Sequence, residues 1–159
     1  MQLYLDCDGV LAAFDEGAHK TLGMDRHQFQ ALHGRQQYLD KLAAEPNFYG
    51  DLRLKSDAMD LFRAVEFLSP VILTGFPEGG EWAVPQKIAW AEKHFPGTVV
   101  ITVPQERKCD YARLGDILID DKVENRAGWE AAGGLFFLHT SAADTLNQLK
   151  ARVPGLFPA

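Results

Sequence analysis

Cysteine is scarce in this chain. Cys7 and Cys109 are the two present in 159 residues, too few for a disulfide framework or a four-cysteine zinc site. Cys7 falls inside an apolar run and reads as a small packing residue rather than a reactive thiol. Basic residues are outnumbered: 16 Lys and Arg stand against 22 Asp and Glu, a net charge of −6. That balance speaks against a nucleic acid polymer as partner, because a sequence-independent grip on phosphates needs a positive surface. No apolar run approaches the roughly 18 residues of a membrane span, and no basic leader runs into an apolar one. The chain is therefore expected to be soluble and cytoplasmic, with no membrane partner. There is no GxxxxGK loop and no glycine fingerprint after the first apolar run, which disfavours a P-loop NTPase and a dinucleotide fold. His19, His27, His33, His94 and His139 show no pair on one helix face with an accompanying acid. They read as surface or core residues, with His94 placed to contact a helix C-terminus.

What the chain has instead is two acidic clusters, each at the end of a short apolar run: Asp6 and Asp8 in LYLDCDGVLAAF, and Asp120 and Asp121 in DILIDDK. Apolar runs at Leu3 to Cys7, Val71 to Thr74, Val99 to Val103, Ile117 to Ile119 and Leu135 to His139 read as strands. The last four alternate with helical patterns. The expected fold class is α/β: a three-layer, Rossmann-like, parallel five-stranded sheet, with 47% apolar residues to fill its core. Helices are expected over about Pro85 to His94, Val123 to Ala132, and Ser141 to Arg152.

The first connection is too long for one crossover helix. Residues 14–68 read as a small helical insertion after the first strand, and residues 1–13 and 69–159 as the core. Inside the insertion Gly23 and Gly34 separate helices, Asp25 and Ser56 stand where caps belong, and Pro46 ends a segment. A helical insert at that point would sit over the carboxyl ends of the strands, the edge at which open α/β sheets bind ligands.

Four carboxylates crowded at one sheet edge would repel, and a hard divalent cation with oxygen ligands, magnesium above all, makes them tolerable. Asp6 and Asp8 share a face of the first strand, with Gly9 free to turn the chain, so one could attack an electrophile while the other carries a proton. Thr74 and Gly75 end the second strand, where a hydroxyl and backbone N–H groups can meet phosphate oxygens. Lys108 lies in a loop where its charge could offset acids or phosphate. Lys87 reads as a charge on a helix face, and the tryptophans as helix-to-sheet packing.

The ordered set LYLDCDGVLAAF, ILTG, Lys108 and ILIDD resembles the haloacid dehalogenase superfamily of phosphohydrolases. More narrowly, DCDGVLAAF, PNFYGDL, KIAWAEKHF and DILIDDK are similar, in order, to stretches of the 5′(3′)-deoxyribonucleotidase family and its short bacterial and phage relatives. The resemblance implies a Mg²⁺-dependent phosphomonoesterase acting through an aspartyl-phosphate. Asp6 would be the nucleophile and Asp8 the general acid and base. Magnesium would be held by Asp6, the backbone carbonyl of Asp8, and the Asp120/Asp121 pair; which of those two touches it directly is left open. Thr74 and Lys108 would hold the transferring phosphoryl, with Gly75 beside them, and Lys108 would also orient Asp6. The insertion would be a cap closing over a small phosphorylated substrate, a (deoxy)nucleoside monophosphate.

The sequence also departs from that family. Nucleotidases follow the threonine of the second motif with Ser-Pro, whereas this chain has Thr74-Gly75-Phe76-Pro77, and the step from Lys108 to Asp120 is longer than in the animal enzymes. In the insertion, Phe14, His33, Arg35, Tyr38 and Phe48 read either as contacts to a base or as packing. Two rival readings are a receiver-like phospho-acceptor module, which the second acid Asp8 argues against, and a polynucleotide 3′-phosphatase-type end-processing domain, which the net charge argues against.

Overall fold

Five short runs of apolar residues build one parallel sheet in the computed structural model, which describes residues 1–157. The strands are β1 (Leu3–Leu5), β2 (Val71–Phe76), β3 (Val100–Pro104), β4 (Ile117–Asp120) and β5 (Leu135–Leu138), in the spatial order β3-β2-β1-β4-β5. Every pairing is parallel. β1 and β4 are buried along their whole length, as continuous apolar strands in a sheet covered on both faces must be. The helices are α1 (Phe14–Leu22), α2 (Arg26–Ala44), α3 (Ala58–Val65), α4 (Ala83–His94), α5 (Asn125–Ala131) and α6 (Ala142–Arg152).

Strand side chains alternate between two cores. Leu3, Leu5, Ile72, Ile117, Ile119 and Phe137 face one, with α3, Trp90 of α4 and Leu149 of α6 packed against them. Tyr4, Leu73, Leu118 and Phe136 face the other, closed by Trp129 of α5. Truncating a fully buried residue such as Leu5 or Ile119 should cost about 2–5 kcal/mol. The tail docks on this body, with Leu156 buried and Phe157 stacked on Phe67 at 5.9 Å; Pro158 and Ala159 lie outside the described residues.

Local chemistry explains the element ends. Asp25 caps α2, its carboxylate accepting from the N–H groups of His27 and Gln28, and Ser141 caps α6 through Asp144 N–H. Gly23 closes α1 in the left-handed region, and α2 breaks at Gly34 (φ 84°), where a β-carbon would be strained.

Three expectations need correction. Ser56 does not cap α3, which begins at Ala58 after Asp57 without any side-chain cap. The Asp57 carboxylate instead accepts from Ala142 N–H at 2.7 Å, tying α3 to the start of α6. His94 stands in the last turn of α4 as expected, but it makes no capping hydrogen bond through Nε2: its ring packs on Trp90 at 4.6 Å and the buried Nε2 has no partner among the described residues. β1 also stops at Leu5 rather than Cys7. There the chain leaves the sheet, because the Cys7 carbonyl is taken by the N–H groups of Leu11 and Ala12 at 2.8 and 2.9 Å.

The strand order reverses beside β1: β2 and β3 lie on one flank, and β4 and β5 on the other. A crevice forms at such a switch point, beyond the carboxyl ends of the strands. Both acidic clusters open onto it.

Candidate active site

Register brings the two clusters together. Leu5 lies opposite Ile119 and Asp6 N–H donates to the Ile119 carbonyl at 2.9 Å, so Asp6 stands beside Asp120 although 114 residues separate them. Carboxylate oxygens of Asp6, Asp120 and Asp121 all lie within 4.8 Å of one another. Lys108, 1% exposed, reaches in from the segment after β3, with Nζ 2.9 Å from Asp6 Oδ1 and 2.8 Å from Asp120 Oδ2. Burial alone would lower its pKa, but Asp6 and Asp120 outweigh that and raise it, so it stays charged.

The two neighbouring aspartates at the end of β4, Asp120 within it and Asp121 just past it, are not equivalent. Asp120 is fully buried and its oxygens are engaged: Oδ1 by Lys122 N–H, and Oδ2 by Lys108 and by Asn125 Nδ2, each at 2.8 Å. Asp121 has a buried Oδ1 with no hydrogen-bond partner among the described residues. Its pKa is pushed up to about 7, by burial first and then by Asp6 and Asp120. An orphaned carboxylate oxygen among like charges is what a cation ligand looks like before the cation is added. The donor set is all oxygen, which suits Mg²⁺.

Lys87 supplies a second buried ammonium. Expected as a charge on a helix face, it is 1% exposed. Nζ makes a short ion pair with Asp8 Oδ2, donates to Thr74 Oγ1 at 3.1 Å, and sits 4.1 Å from the centre of the Tyr49 ring. Ala83, Lys87, Trp90 and Ala91 form the buried stripe of α4. That spacing was visible in the sequence, where a lysine on an otherwise apolar stripe signals a buried charge with a partner. Four carboxylates thus face two ammonium groups, leaving a deficit that one divalent cation would fill.

Above these groups lies a cleft of about 850 Å³, its mouth included. Asp6, Asp8, Gly75 and Asp121 line its floor, with Phe14 of α1, Arg35 and Tyr38 of α2, Tyr49 and Trp82 lining the rest. Thr74 and Lys108, each 1% exposed, stand behind this floor rather than lining it. Phe48 packs edge-on against Phe14 and Tyr49, and His33 stacks on Phe29; neither lines the cleft. Gln105 and Lys122 also reach the cleft and hydrogen-bond at 3.3 Å. A side chain at position 75 would collide with Gln105, so glycine there is what admits the amide to the floor. Gln105, Lys122 and Asn125 carry no sequence signal of their own, since each matters through a partner on another element.

No helix among the described residues is long and apolar enough to cross a membrane. No family model and no curated protein matches the sequence. Solved structures match over nearly the whole chain. A HAD family hydrolase from Deinococcus radiodurans, with bound phosphate and sodium, superposes with a TM-score of 0.60 at 15% identity, covering 99% of this chain and 98% of that one. A protein described as a predicted phosphatase, from Clostridium acetobutylicum, gives 0.55 at 12% identity over 92% and 89%. The L-2-haloacid dehalogenase of Xanthobacter autotrophicus, with chloropropionic acid covalently bound, gives 0.55 at 14% over 99% and 84%. At such identities these likenesses show the fold, a Rossmann-like sheet of the kind found in HAD hydrolases.

Proposed function

We propose that this chain is a Mg²⁺-dependent phosphomonoester hydrolase of the haloacid dehalogenase superfamily, acting through an aspartyl-phosphate on Asp6. The observation that carries the reading is the grip on Asp6. Its Oδ1 is held by Lys108 Nζ at 2.9 Å and by Cys7 N–H at 2.8 Å, while its carboxylate lines the cleft floor. Anchoring one oxygen by two donors leaves the other aimed at whatever enters.

In the proposed reaction the free oxygen of Asp6 forms a bond to phosphorus as the ester P–O bond breaks, and Asp8 protonates the departing oxygen. Asp8 then takes a proton from water, which attacks the aspartyl-phosphate, releasing inorganic phosphate and restoring Asp6. Lys108 keeps Asp6 aimed. Asp6, the Asp8 carbonyl and Asp121 would hold the metal, whereas Asp120, with its oxygens engaged, orients Lys108 and the turn into α5. Bound magnesium would draw charge from the phosphoryl oxygens and offset the acidic cluster.

The substrate we propose is a small phosphate ester, a (deoxy)nucleoside monophosphate, with its phosphoryl group at the acidic floor. Its base would lie among Phe14, Tyr38 and Arg35, aromatic and cationic groups that suit stacking and hydrogen bonding. Residues 14–68 would form the cap over residues 1–13 and 69–159, with α1 and α2 shielding the reaction from water. Two backbone contacts join the insertion to β1's exit: Ala13 N–H to Arg53 carbonyl and Lys55 N–H to Leu11 carbonyl, each at 2.8 Å.

The test is steady-state hydrolysis of 4-nitrophenyl phosphate with Mg²⁺ and with chelator, followed by a panel of nucleoside and sugar monophosphates. Magnesium-dependent turnover with a nucleotide preferred supports the proposal. A single stoichiometric phosphorylation without turnover would instead indicate a receiver-like acceptor, and preference for phosphorylated polymer ends an end-processing domain.

A further inference from the structure

We infer that Lys87 is a positioning residue that holds Asp8 in place for proton transfer to the leaving oxygen. The inference rests on the phosphohydrolase reading above and assigns a task to a side chain other than the four aspartates and Lys108.

Burying an ammonium costs several kcal/mol unless its partners compensate, and a leucine or methionine would pack the same stripe of α4 without that cost. All the compensation for Lys87 comes from groups at the site. Asp8 Oδ2 pairs with it, Thr74 Oγ1 accepts from it, and the Tyr49 ring covers it. Each carboxylate of the DxD pair therefore has its own buried lysine: Asp6 has Lys108, and Asp8 has Lys87.

The consequence lies in the carboxyl group of Asp8. Its side chain is 21% exposed and lines the cleft, where a departing oxygen would meet it. Oδ1 is buried without a hydrogen-bond partner among the described residues, so the ammonium on Oδ2 is what fixes the orientation of the group. Without the pin the side chain, followed by the turn at Gly9 (φ 81°), would be free to leave that orientation. Lys87 itself gives up no proton: the proton passes from the Asp8 carboxyl to the departing oxygen as the P–O bond breaks, and the ammonium stays bonded to that carboxyl before and after.

The experiment compares kcat/KM of wild type, Lys87→Met and Lys87→Gln on two esters in Mg²⁺. 4-Nitrophenyl phosphate has a leaving group that departs without a proton, whereas an alkyl phosphate requires one. General acid catalysis contributes roughly 10²–10⁴-fold, so the variants should lose about tenfold on the aryl ester and a further 10–100-fold on the alkyl ester. In an Asp8→Asn background, Lys87→Met should add little further loss. Equal losses on both esters, or full additivity with Asp8→Asn, would overturn the inference and leave Lys87 a structural ion pair. If wild type itself hydrolyses neither ester, the phosphohydrolase reading fails, a different result. Should Lys87→Met not fold by circular dichroism, Lys87→Arg, which keeps the charge but displaces it, supports or refutes the inference through the same ratio.

Discussion

Asp121 closes so tightly on Gly9 that a β-carbon at position 9 would overlap the Asp121 carboxylate. The turn after the first acidic pair and the end of the second are thus fitted to each other through a missing side chain. Gly9 also holds a φ of 81°, which L-residues rarely adopt. Its carbonyl is bound by Lys55 Nζ at 3.0 Å, fixing the turn from the other side.

Gly9→Ala should therefore do two things. Backbone strain should cost about 1–3 kcal/mol of stability, and displacement of Asp121 should weaken Mg²⁺ binding at least tenfold, or roughly 1.4 kcal/mol. Thermal unfolding and a calorimetric Mg²⁺ titration read the two effects separately. Wild-type Mg²⁺ affinity in the variant would remove Asp121 from the metal set.

Asp6→Asn should abolish turnover, with a loss of at least about 10³-fold, and leave the fold intact, because Lys108 retains Asp120 as its counter-charge. Asp8→Asn should cripple both halves of the reaction. Rapid-quench detection of phosphoenzyme from 4-nitrophenyl phosphate separates the two: Asp8→Asn should accumulate it, because the aryl group departs without a proton while hydrolysis lacks its base, and Asp6→Asn should form none. Near-normal rates in Asp6→Asn would disprove its role as nucleophile.

Lys108→Met should destabilise the protein by about 3–5 kcal/mol, the cost of leaving buried carboxylates without their cation. Mg²⁺ should restore part of that loss, since the ion would bind Asp6 and the neighbouring Asp121 in the folded state only. Denaturant midpoints with and without Mg²⁺ test this. A variant as stable as wild type would mean that Asp6 and Asp120 do not depend on Lys108.

Acid should weaken the fold in part through His139. Its ring is buried, with Nδ1 2.8 Å from Thr145 Oγ1, and its pKa is lowered from 6.5 to about 4, by burial first and then by Lys55. Between these values the unfolded chain binds the proton and the folded one does not. Stability from this residue is thus complete above about pH 6.5, declines as pH falls toward 4, and changes no further below. The total is on the order of 1–3 kcal/mol. Urea denaturation at pH 7 and 4.5 should show a smaller drop for His139→Gln than for wild type; an equal drop would place the acid sensitivity elsewhere.

The strands and their order of use were legible in the sequence because a parallel sheet buried on both faces demands unbroken apolar runs, and LYL, VIL and ILI supply them. So were Asp6, Asp8, Asp120 and Asp121 as residents of one sheet edge, since each follows a strand directly and parallel strands end on the same side. Asp25, Ser141, Gly23 and Gly34 were equally readable, because a cap or a left-handed turn is settled within a few residues. Tertiary packing decided the rest. Lys87 became a buried partner of Asp8 through the docking of α4 against the sheet, across 79 residues. Asp120 and Asp121, alike in sequence, were divided when Lys108, Lys122 and Asn125 converged on the first and left the second an oxygen to spare. Local patterns dictate which way a short segment bends and what it buries; the pairing of charges depends on distances between segments, which exist only after the chain has folded.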